Sequence, residues 1–450
     1  MQHTMYLEVL GCLSEKGFSL DELVVKTKEV FEQDGMAGFV ALLLMLTDAD
    51  LYQRIVIQKK AKEYGGNCCD SPCYEAHDRR PRQFRTSIGT VRICWQRLRC
   101  RCCGRVFTPL RDFMGLDRHQ SKSRELEKLV VEIVSEQSYR RSSSHLELIG
   151  EIPVPKSTAH RWVMDSDCDE LSFEGTKLQQ LFIDGTGFKR RPDPVKDLSN
   201  RGEVRAAFGV TSQGDVVPLG AWTQASWQEI GTELREKAGS VLPLADILVS
   251  DGELGLAEGL AGLTNDQQRC HWHLMRDLDF YLMPFKMPLE KRREKQRELA
   301  GIIGIELPKE DFALVPDEEK NAIEERMRAA EKGLDELILE LEEKRWKPPA
   351  KYLRRAKERL FAYVRFWLKF GIVTPRVSSW IERLMRELGR RLKKMAFGWT
   401  DRGAAKMTKI IIKRFTDAPQ WDAFWKKKLR LQDNVVISLL TVREINPSPQ

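Results

Sequence analysis

Apolar and polar positions follow different periods along the chain. Apolar residues between positions 20 and 31 recur at helical spacing and predict an N-terminal helical region. The apolar run from Gly35 to Leu46 is too short to span a membrane and indicates a buried helix. In GTVRICWQRLRC, apolar and polar residues alternate, which is typical of a hairpin strand.

Three amphipathic patterns between residues 121 and 166 predict short helices, in SRELEKLVVEIVSEQ, YRRSSSHLELIG and KSTAHRWVMDS. We expect the second helix to end at Gly150 and Ser157 or Thr158 to cap the third. A tight turn before the last helix is typical of a helix-turn-helix. His160 and Arg161 would then contact DNA. The alternative is a helical packing domain that exposes its arginines.

From residue 178 onward, hydrophobic strands give way to alternating strands and helices. The patterns predict a strand in KLQQLFIDGTGFKRR, a hairpin that turns at Gln213-Gly214 and a helix in WQEIGTELREKAG. They continue with a strand in ADILVSDG, a helix in ELGLAEGLAGL and a short strand in DQQRCHWHL. This order predicts an α/β domain with a mixed sheet. The chain is charged and helical from Met275 to about Pro375, and a basic amphipathic helix follows in RVSSWIERLMRELGRRLKKM.

Composition narrows the class of protein. A chain of 450 residues predicts two to four domains, and 42% hydrophobic with 31% charged residues is typical of globular proteins. The net charge of +8 favours an acidic partner such as nucleic acid. The first residues lack a basic signal-peptide region, so we expect a cytoplasmic protein without a membrane partner, whose thiols stay reduced.

The cysteines indicate a structural zinc site. Cys100 and Cys103 are spaced C-x2-C, and Gly104 would permit the tight turn of a zinc knuckle. A second pair lies about thirty residues upstream, so we expect the ligands to be Cys69, Cys73, Cys100 and Cys103. The alternatives are that Cys68 replaces Cys69 as the first ligand, or that His77 or Cys102 replaces one of the ligands. Free buried thiols or a degenerate site remain the other interpretation.

Two aspartates follow hydrophobic strands in the same way. Asp184 follows Leu-Phe-Ile and Asp251 follows Ile-Leu-Val-Ser, each before a glycine and 67 positions apart. Alone, each Asp-Gly pair is more typical of a turn. If the two strands are neighbours, however, the paired carboxylates require a divalent cation, and oxygen ligands suit Mg²⁺ or Mn²⁺.

The segment RCHWHLMRDL contains Cys270, His271 and His273 within four positions. A zinc site made of these three residues lacks a fourth ligand nearby. A Cys–His nucleophile conflicts with strand alternation, which would place Cys270 and His271 on opposite faces. The remaining interpretation is a packed strand with a buried thiol and a histidine that has a hydrogen-bond partner.

The order of these motifs resembles the Mutator-like group of DDE transposases and its prokaryotic insertion-sequence relatives. The matching features are a DGT strand, an SDG strand, the C-x2-H of Cys270 and His273, and a helical insertion. VSSWIERLMR resembles the family's glutamate helix and supplies Glu382, 131 positions after Asp251. Ser379 and Trp380 stand where the family usually has an asparagine, so Glu387 stays an alternative. The resemblance covers most of the chain.

The resemblance implies an RNase H-like core interrupted by an all-helical insertion and preceded by zinc-ribbon-like and helix-turn-helix modules. With the patterns above it predicts an N-terminal helical region (1–60), a zinc-ribbon-like module (61–112), a helix-turn-helix domain (113–175), the first part of the core (176–276), the insertion (277–375), and the second part of the core with a C-terminal tail (376–450).

The resemblance also implies chemistry. Asp184, Asp251 and Glu382 would hold two Mg²⁺ or Mn²⁺ ions that activate water, and later a DNA 3′-hydroxyl, for attack on phosphodiesters. We expect Cys270 and His273 to support these acids, with His273 reaching the DNA or a metal-bound carboxylate. DNA-backbone contacts would come from Arg386, Arg390, Arg391, Lys393 and Lys394, whose alternative is a solvated helix face.

The partners implied are double-stranded DNA, as transposon ends with inverted repeats and as target, and further copies of the chain on that DNA. The localisation implied is the cytoplasm of a prokaryote, with the protein on the nucleoid when bound to DNA. The rival hypotheses are a non-catalytic zinc and helix-turn-helix regulator and a metal-dependent nuclease that does not join strands.

Overall fold

The computed structural model describes residues 35–431 except 65, 151, 172, 174, 192–199 and 396, together with residues 19, 24 and 25. The chain divides into two compact units. The first comprises residues 1–165 and 424–450, and the second residues 166–423. Most of the periodic positions predicted between residues 20 and 31 lie outside the described residues.

In the first unit, a helix packs on a three-stranded antiparallel sheet of order β1-β2-β3. Its elements are α1 (Met36–Tyr52), β1 (Tyr74–Thr86), β2 (Gly89–Cys100), β3 (Val106–Phe107) and α2 (Pro109–Phe113). The hairpin predicted from the alternation of residues 89–100 is confirmed. The prediction that α1 is buried is wrong for much of its surface. Only one face packs, and Met36, Leu42 and Met45 are exposed.

Three helices follow in the same unit, α3 (Arg124–Glu136), α4 (Tyr139–Gly150) and α5 (Lys156–Asp165). The apolar side of α3 is buried, and the Ser123 hydroxyl caps its start by accepting a hydrogen bond from the backbone N–H of Leu126. The predicted end of α4 at Gly150 is confirmed. The predicted cap of α5 is wrong, because α5 begins at Lys156 and already contains Ser157 and Thr158.

The second unit has a mixed five-stranded sheet of order β6-β5-β4-β7-β8. Its strands are β4 (Leu178–Lys189), β5 (Arg201–Val210), β6 (Val216–Thr223), β7 (Ala245–Ser250) and β8 (Thr264–Arg269). The strands β4, β5 and β6 pair antiparallel, whereas β7 and β8 run parallel to β4. The predicted mixed α/β domain is therefore confirmed, including the turn between β5 and β6.

Two helices accompany the sheet, α6 (Trp227–Ala238) and α7 (Leu256–Gly259). A capping box between Ser226 and Glu229 begins α6. The longer helix predicted in ELGLAEGLAGL is wrong, since α7 has only four residues. Glycines limit it, because Gly255 and Gly262 have positive φ angles of 80° and 78°.

The predicted helical region is present, and its helices share one hydrophobic core that includes Leu274, Leu278 and Leu282 of the first of them. The elements here are α8 (His271–Leu282), α9 (Leu289–Ile303), α10 (Asp317–Glu343), α11 (Lys347–Ala356) and α12 (Ala362–Phe370). They are followed by α13 (Ser379–Leu392), α14 (Asp401–Thr416) and α15 (Ala418–Leu429), and α13 packs on β4. None of the described helices combines the length and the apolar character that a membrane span requires.

Candidate functional site

Four cysteines converge at one end of the β1–β2 hairpin. Ligand atoms of Cys68, Cys69, Cys100 and Cys103, here called the four-cysteine cluster, lie within 4.8 Å of one another. The Sγ atoms of Cys69 and Cys100 are 3.8 Å apart. The prediction that Cys73 is a zinc ligand is wrong, because its thiol is exposed and lies outside the cluster. Cys68 takes its place, since the adjacent cysteines both reach Cys100 and Cys103.

The electrostatics of the four-cysteine cluster suit a metal that binds thiolates. Backbone N–H groups, first that of Cys103, lower the pKa of Cys100 to about 6. Burial and the neighbouring thiols raise the pKa of Cys69 to about 12. Gly104, with φ of 72°, closes the turn after Cys103 and donates its N–H to the Cys100 carbonyl oxygen. Four cysteine ligands on such a knuckle are a donor set that fits zinc.

Asp184 and Asp251 are brought together by two parallel strands. Phe182 on β4 pairs with Val249 on β7, so the same register carried two residues further sets Asp184 opposite Asp251. The expectation that Asp184 ends its strand is wrong. The strand β4 continues to Lys189, and Asp184 pairs with Ala206 of β5 on its other side. The strand β7, in contrast, ends at Ser250, one residue before Asp251.

Burial, followed by the charge of Asp251, raises the pKa of Asp184 to about 7. The two negative charges repel each other, and a divalent cation between them would relieve the repulsion. Glu253, two residues after Asp251, is also a source of negative charge near Asp184. Oxygen ligands from this pair fit Mg²⁺ or Mn²⁺ by their chemistry.

The C-x2-H segment begins a helix and does not continue a strand. The strand β8 ends at Arg269, and α8 starts at His271 with Cys270 at its N-cap position. The strand predicted through His273 is therefore wrong, as is the alternation of faces derived from it. On a helix, residues three apart lie on one side, which brings Cys270 and His273 together. His271 turns away and its Nε2 lies 2.8 Å from the Leu360 carbonyl oxygen.

Burial lowers the pKa of His271 to about 4, so this ring is neutral. The prediction of a buried histidine with a hydrogen-bond partner is confirmed for His271. His273 behaves differently. Burial alone lowers its pKa, but the hydrogen bond and charge of Cys270 outweigh burial and the net shift is upward. Correspondingly, burial raises the pKa of Cys270, and the bonds from His273 and Ser378 reverse that shift.

Ser378 connects this segment to Glu382. The Ser378 Oγ lies 3.3 Å from Cys270 Sγ, 3.3 Å from His273 Nδ1 and 3.3 Å from Glu382 Oε1. We call Cys270, His273, Ser378 and Glu382 the Cys270 cluster. The charge of Asp251 acts to raise the pKa of the His273 imidazole, and the charge of His273 acts to lower the pKa of Asp184. The imidazole therefore interacts electrostatically with both aspartates as well as with Glu382. Glu387 instead forms an ion pair with Arg390 at 2.7 Å.

Backbone hydrogen bonds tie the Cys270 cluster to both neighbouring segments. The Cys270 N–H donates to the Ser250 carbonyl oxygen, one residue before Asp251. The His271 N–H donates to the Arg376 carbonyl oxygen, two residues before Ser378. These bonds fix the start of α13 beside the end of β7, although more than one hundred residues separate them in sequence.

Several residues of this site are missed by reasoning from sequence alone. Ser378 has no distinctive motif. Arg205 stacks on Trp227 at 4.2 Å and forms ion pairs with Glu203 and Glu253. Arg205 pairs with Gly185 across β4 and β5, so its side chain lies on the face of the sheet opposite to that of Asp184. Gly252 has a φ angle of 76°, and an added Cβ would lie 2.6 Å from the Arg269 side chain. The glycine after Asp251 is therefore required by the structure, and the Asp-Gly pair makes it visible in the sequence.

The predicted basic side chains of the C-terminal helices separate into two groups. Arg386, Arg390, Lys393 and Lys394 are at least partly exposed on or just after α13. The prediction that Arg391 contacts DNA is wrong. Its side chain is buried, 1% exposed, with its guanidinium 4.5 Å from the centre of the Trp399 ring. Arg391 therefore lies on the buried side of α13 and contributes to packing.

In the insertion, the charged runs make ion pairs within their own helices and with neighbouring ones. Arg292 contacts Asp279 at 2.8 Å, Lys295 contacts Glu340 at 2.6 Å and Lys357 contacts Asp335 at 2.6 Å. Such pairs are typical of ordinary charged helices.

On the three-helix segment, the candidate DNA contacts lie at the surface. His160 and Arg161 of α5 are exposed, as is Arg141 of α4. The His160 ring packs against Tyr139 with ring centres 5.1 Å apart. Ala159, Trp162 and Val163 form the buried side of the same helix.

Comparison with solved structures gives a distant likeness. The chain is similar to the Drosophila P element transposase strand transfer complex, with a TM-score of 0.25 and 13% sequence identity. The alignment covers 71% of this chain and 83% of that chain. No family model and no curated protein sequence matches the chain.

Proposed function

We propose that this chain is a DDE-type transposase that cleaves and joins DNA strands with a divalent metal ion. One observation carries the proposal. The register of β4 and β7 brings Asp184 and Asp251 close together, and the Cys270 cluster holds a third carboxylate, Glu382, next to His273, which interacts electrostatically with both aspartates.

The proposed core is RNase H-like. Three features of the sheet support this. The strand β4 is the middle strand of five, and β6, β5 and β4 pair antiparallel on one side of the sheet. On the other side, β7 and β8 run parallel to β4. The carboxylates lie on the middle strand and at the end of its parallel neighbour, and a helix packed on β4 carries the glutamate. The helical insertion separates the last two acids in sequence.

Asp184, Asp251 and Glu382 would hold the divalent ions, which would supply a bound nucleophile and stabilise the leaving 3′-oxygen. The chain's own residues hold the acids in position. Arg205 fixes the loop after Asp251 through Glu253, and Ser378 orients the Glu382 carboxylate. His273 is buried beside all three acids and supplies a cationic or hydrogen-bonding group there.

DNA binding is proposed for two surfaces, and a zinc ion is proposed to support them. The exposed residues of α13 would contact the phosphate backbone near the carboxylates. His160 and Arg161 of α5 would enter a groove as part of a helix-turn-helix. A zinc ion held by the four-cysteine cluster would stabilise a zinc-ribbon-like module. We further propose that the active form on DNA contains more than one copy of the chain.

The test uses the genomic DNA that flanks the coding sequence, with the full-length protein. We expect Mg²⁺- or Mn²⁺-dependent nicking at terminal inverted repeats bounded by short direct repeats. Asp184→Ala, Asp251→Ala and Glu382→Ala should each abolish nicking while DNA affinity, measured by fluorescence anisotropy, is unchanged. Glu387→Ala is the matched control on the same helix and should retain activity.

The outcomes distinguish the rival functions. Binding to the flanking repeats without nicking by any metal would favour a regulator that lacks catalysis. Nicking without strand joining would favour a nuclease. Full activity of any of the three alanine variants would remove that carboxylate from the proposed site.

A further inference from the structure

A set of zinc-preferring side chains lies beside the two aspartates. One ligand atom from each of Cys270, His273 and Glu382 lies within 4.8 Å of the others. Cys270 and His273 are buried, and 29% of the Glu382 side chain is exposed. Thiolate and imidazole are ligands that favour Zn²⁺ over Mg²⁺, and zinc sites with three protein ligands keep a fourth position for water.

These ligand atoms converge on one point that a hydroxyl now marks. Ser378 Oγ lies 3.3 Å from the sulfur, the ring nitrogen and the carboxylate oxygen alike. A serine hydroxyl has one proton, so it donates to one acceptor at a time. Once the Ser378 hydroxyl rotates away from this point, a cation there would interact with all three ligands at once, with the Cys270 thiol releasing its proton to solvent.

The backbone around this point is already fixed. Cys270 is held by its N–H bond to Ser250, and Ser378 donates its own N–H to Cys270 Sγ at 3.4 Å. His273 is buried on the first turn of α8 and Glu382 is on the first turn of α13. The ligands therefore need only side-chain adjustments to approach zinc distances of roughly 2.0–2.3 Å.

We propose that Cys270, His273 and Glu382 form a Zn²⁺ site, and that zinc there withdraws Glu382 from Asp184 and Asp251. The withdrawal of Glu382 rests on the proposed function, and it would make zinc an inhibitor of DNA cleavage. A single carboxylate then serves two alternative metals, and thiophilic ions compete with Mg²⁺ for it.

The test is a Co²⁺ titration of the full-length protein, followed by the thiolate-to-cobalt charge-transfer absorption. The four-cysteine cluster also offers thiolates, so the measured quantity is the difference between proteins. Cys270→Ser and His273→Gln should each bind one metal equivalent less than wild type, and Cys270→Ser should lose the corresponding share of the absorption. Neither residue is a proposed ligand of the ions held by Asp184 and Asp251, so the loss reports on the zinc site alone. Ser378→Ala keeps all three ligands and should bind as many equivalents as wild type.

Near-ultraviolet circular dichroism identifies any variant that fails to fold, and the His273→Gln comparison keeps the test valid if Cys270→Ser does so. Equal Co²⁺ and Zn²⁺ stoichiometry in wild type, Cys270→Ser and His273→Gln would overturn the site. With the site established by this difference, micromolar Zn²⁺ should suppress Mg²⁺-dependent nicking. If the protein never nicks DNA but the one-equivalent difference persists, the zinc site stands and the proposed function falls.

Discussion

In the first unit, the four-cysteine cluster draws its ligands from two turns at one end of a single hairpin. In the second unit, the carboxylates come from β4, from the end of β7 and from α13, across 67 and then 131 positions of sequence. The first site needs only strand pairing to assemble. The second requires a completed sheet and a completed insertion, held together by Cys270 and Ser378. Local sites thus stabilise their own module, whereas the distant site depends on the rest of the fold.

This contrast predicts that metal removal damages the first unit most. Structural zinc in small fingers contributes roughly 10–16 kcal/mol of apparent binding free energy. Cys103→Ser should therefore lose zinc and the chemical-shift dispersion of the hairpin, measured by atomic emission and NMR. Cys73→Ser is the matched control and should keep both, since its thiol is exposed outside the cluster. Zinc loss in Cys73→Ser and retention in Cys103→Ser would reverse the ligand assignment.

In the second unit, loss of a supporting contact should slow chemistry without unfolding the chain. Residues that orient metal ligands typically contribute about 10–100-fold to activity. Ser378→Ala should lower nicking by about tenfold and leave DNA affinity unchanged, because it frees the Glu382 carboxylate. Thr232→Ala, on the exposed side of α6, serves as a control. Unchanged nicking by Ser378→Ala at several Mg²⁺ concentrations would remove Ser378 from this role.

Exposed and buried arginines of α13 should also behave differently. Arg386→Ala should weaken DNA binding several-fold for all sequences and reduce the salt slope of affinity by about one. Arg391→Ala should instead lower the melting temperature, because its guanidinium packs on Trp399. A normal salt slope for Arg386→Ala would place the DNA elsewhere.

The smallest expected effect concerns pH. The folded-state pKa of Asp184 is raised to about 7, so the stability that its proton contributes is present below the unfolded pKa near 4 and is lost as pH rises through 7. Metal-free Asp184→Asn, which does not titrate, should melt a few degrees above wild type at pH 8. The gap should narrow toward pH 5, and Mg²⁺ should close it at pH 8. A gap that is constant across this range would contradict the shifted pKa.

Periodic patterns predicted most of the elements that surround the site. The alternation of residues 89–100 and the runs behind Asp184 and Asp251 are backbone patterns, and each forms the expected strand. The Cys-x2-Cys spacing also located half of the proposed zinc ligands. These features depend on neighbours in sequence, which is why the sequence alone reveals them.

Features that depend on tertiary packing were not predicted correctly. Nothing adjacent in sequence distinguishes Cys68 from Cys73, because hairpin register decides which thiol faces Cys100. The switch from strand to helix at Cys270 depends on its bond to Ser250 and that of His271 to Arg376. Arg391 belongs to a basic run, yet its position against the Trp399 ring buries it. The Ser378 hydroxyl contacts Cys270 and His273 only when the folded insertion brings the two ends of this segment together.

The most direct measurement is metal-directed cleavage of the protein backbone. Fe²⁺ placed in the Mg²⁺ site with ascorbate and peroxide cuts the chain near its ligands, and mass spectrometry locates the cuts. If three distant acids share one metal centre, cuts should appear around Asp184, Asp251 and Glu382 together, and excess Mg²⁺ should suppress all three. Cuts near the two aspartates with none near Glu382, or cuts near Glu387 instead, would contradict the account.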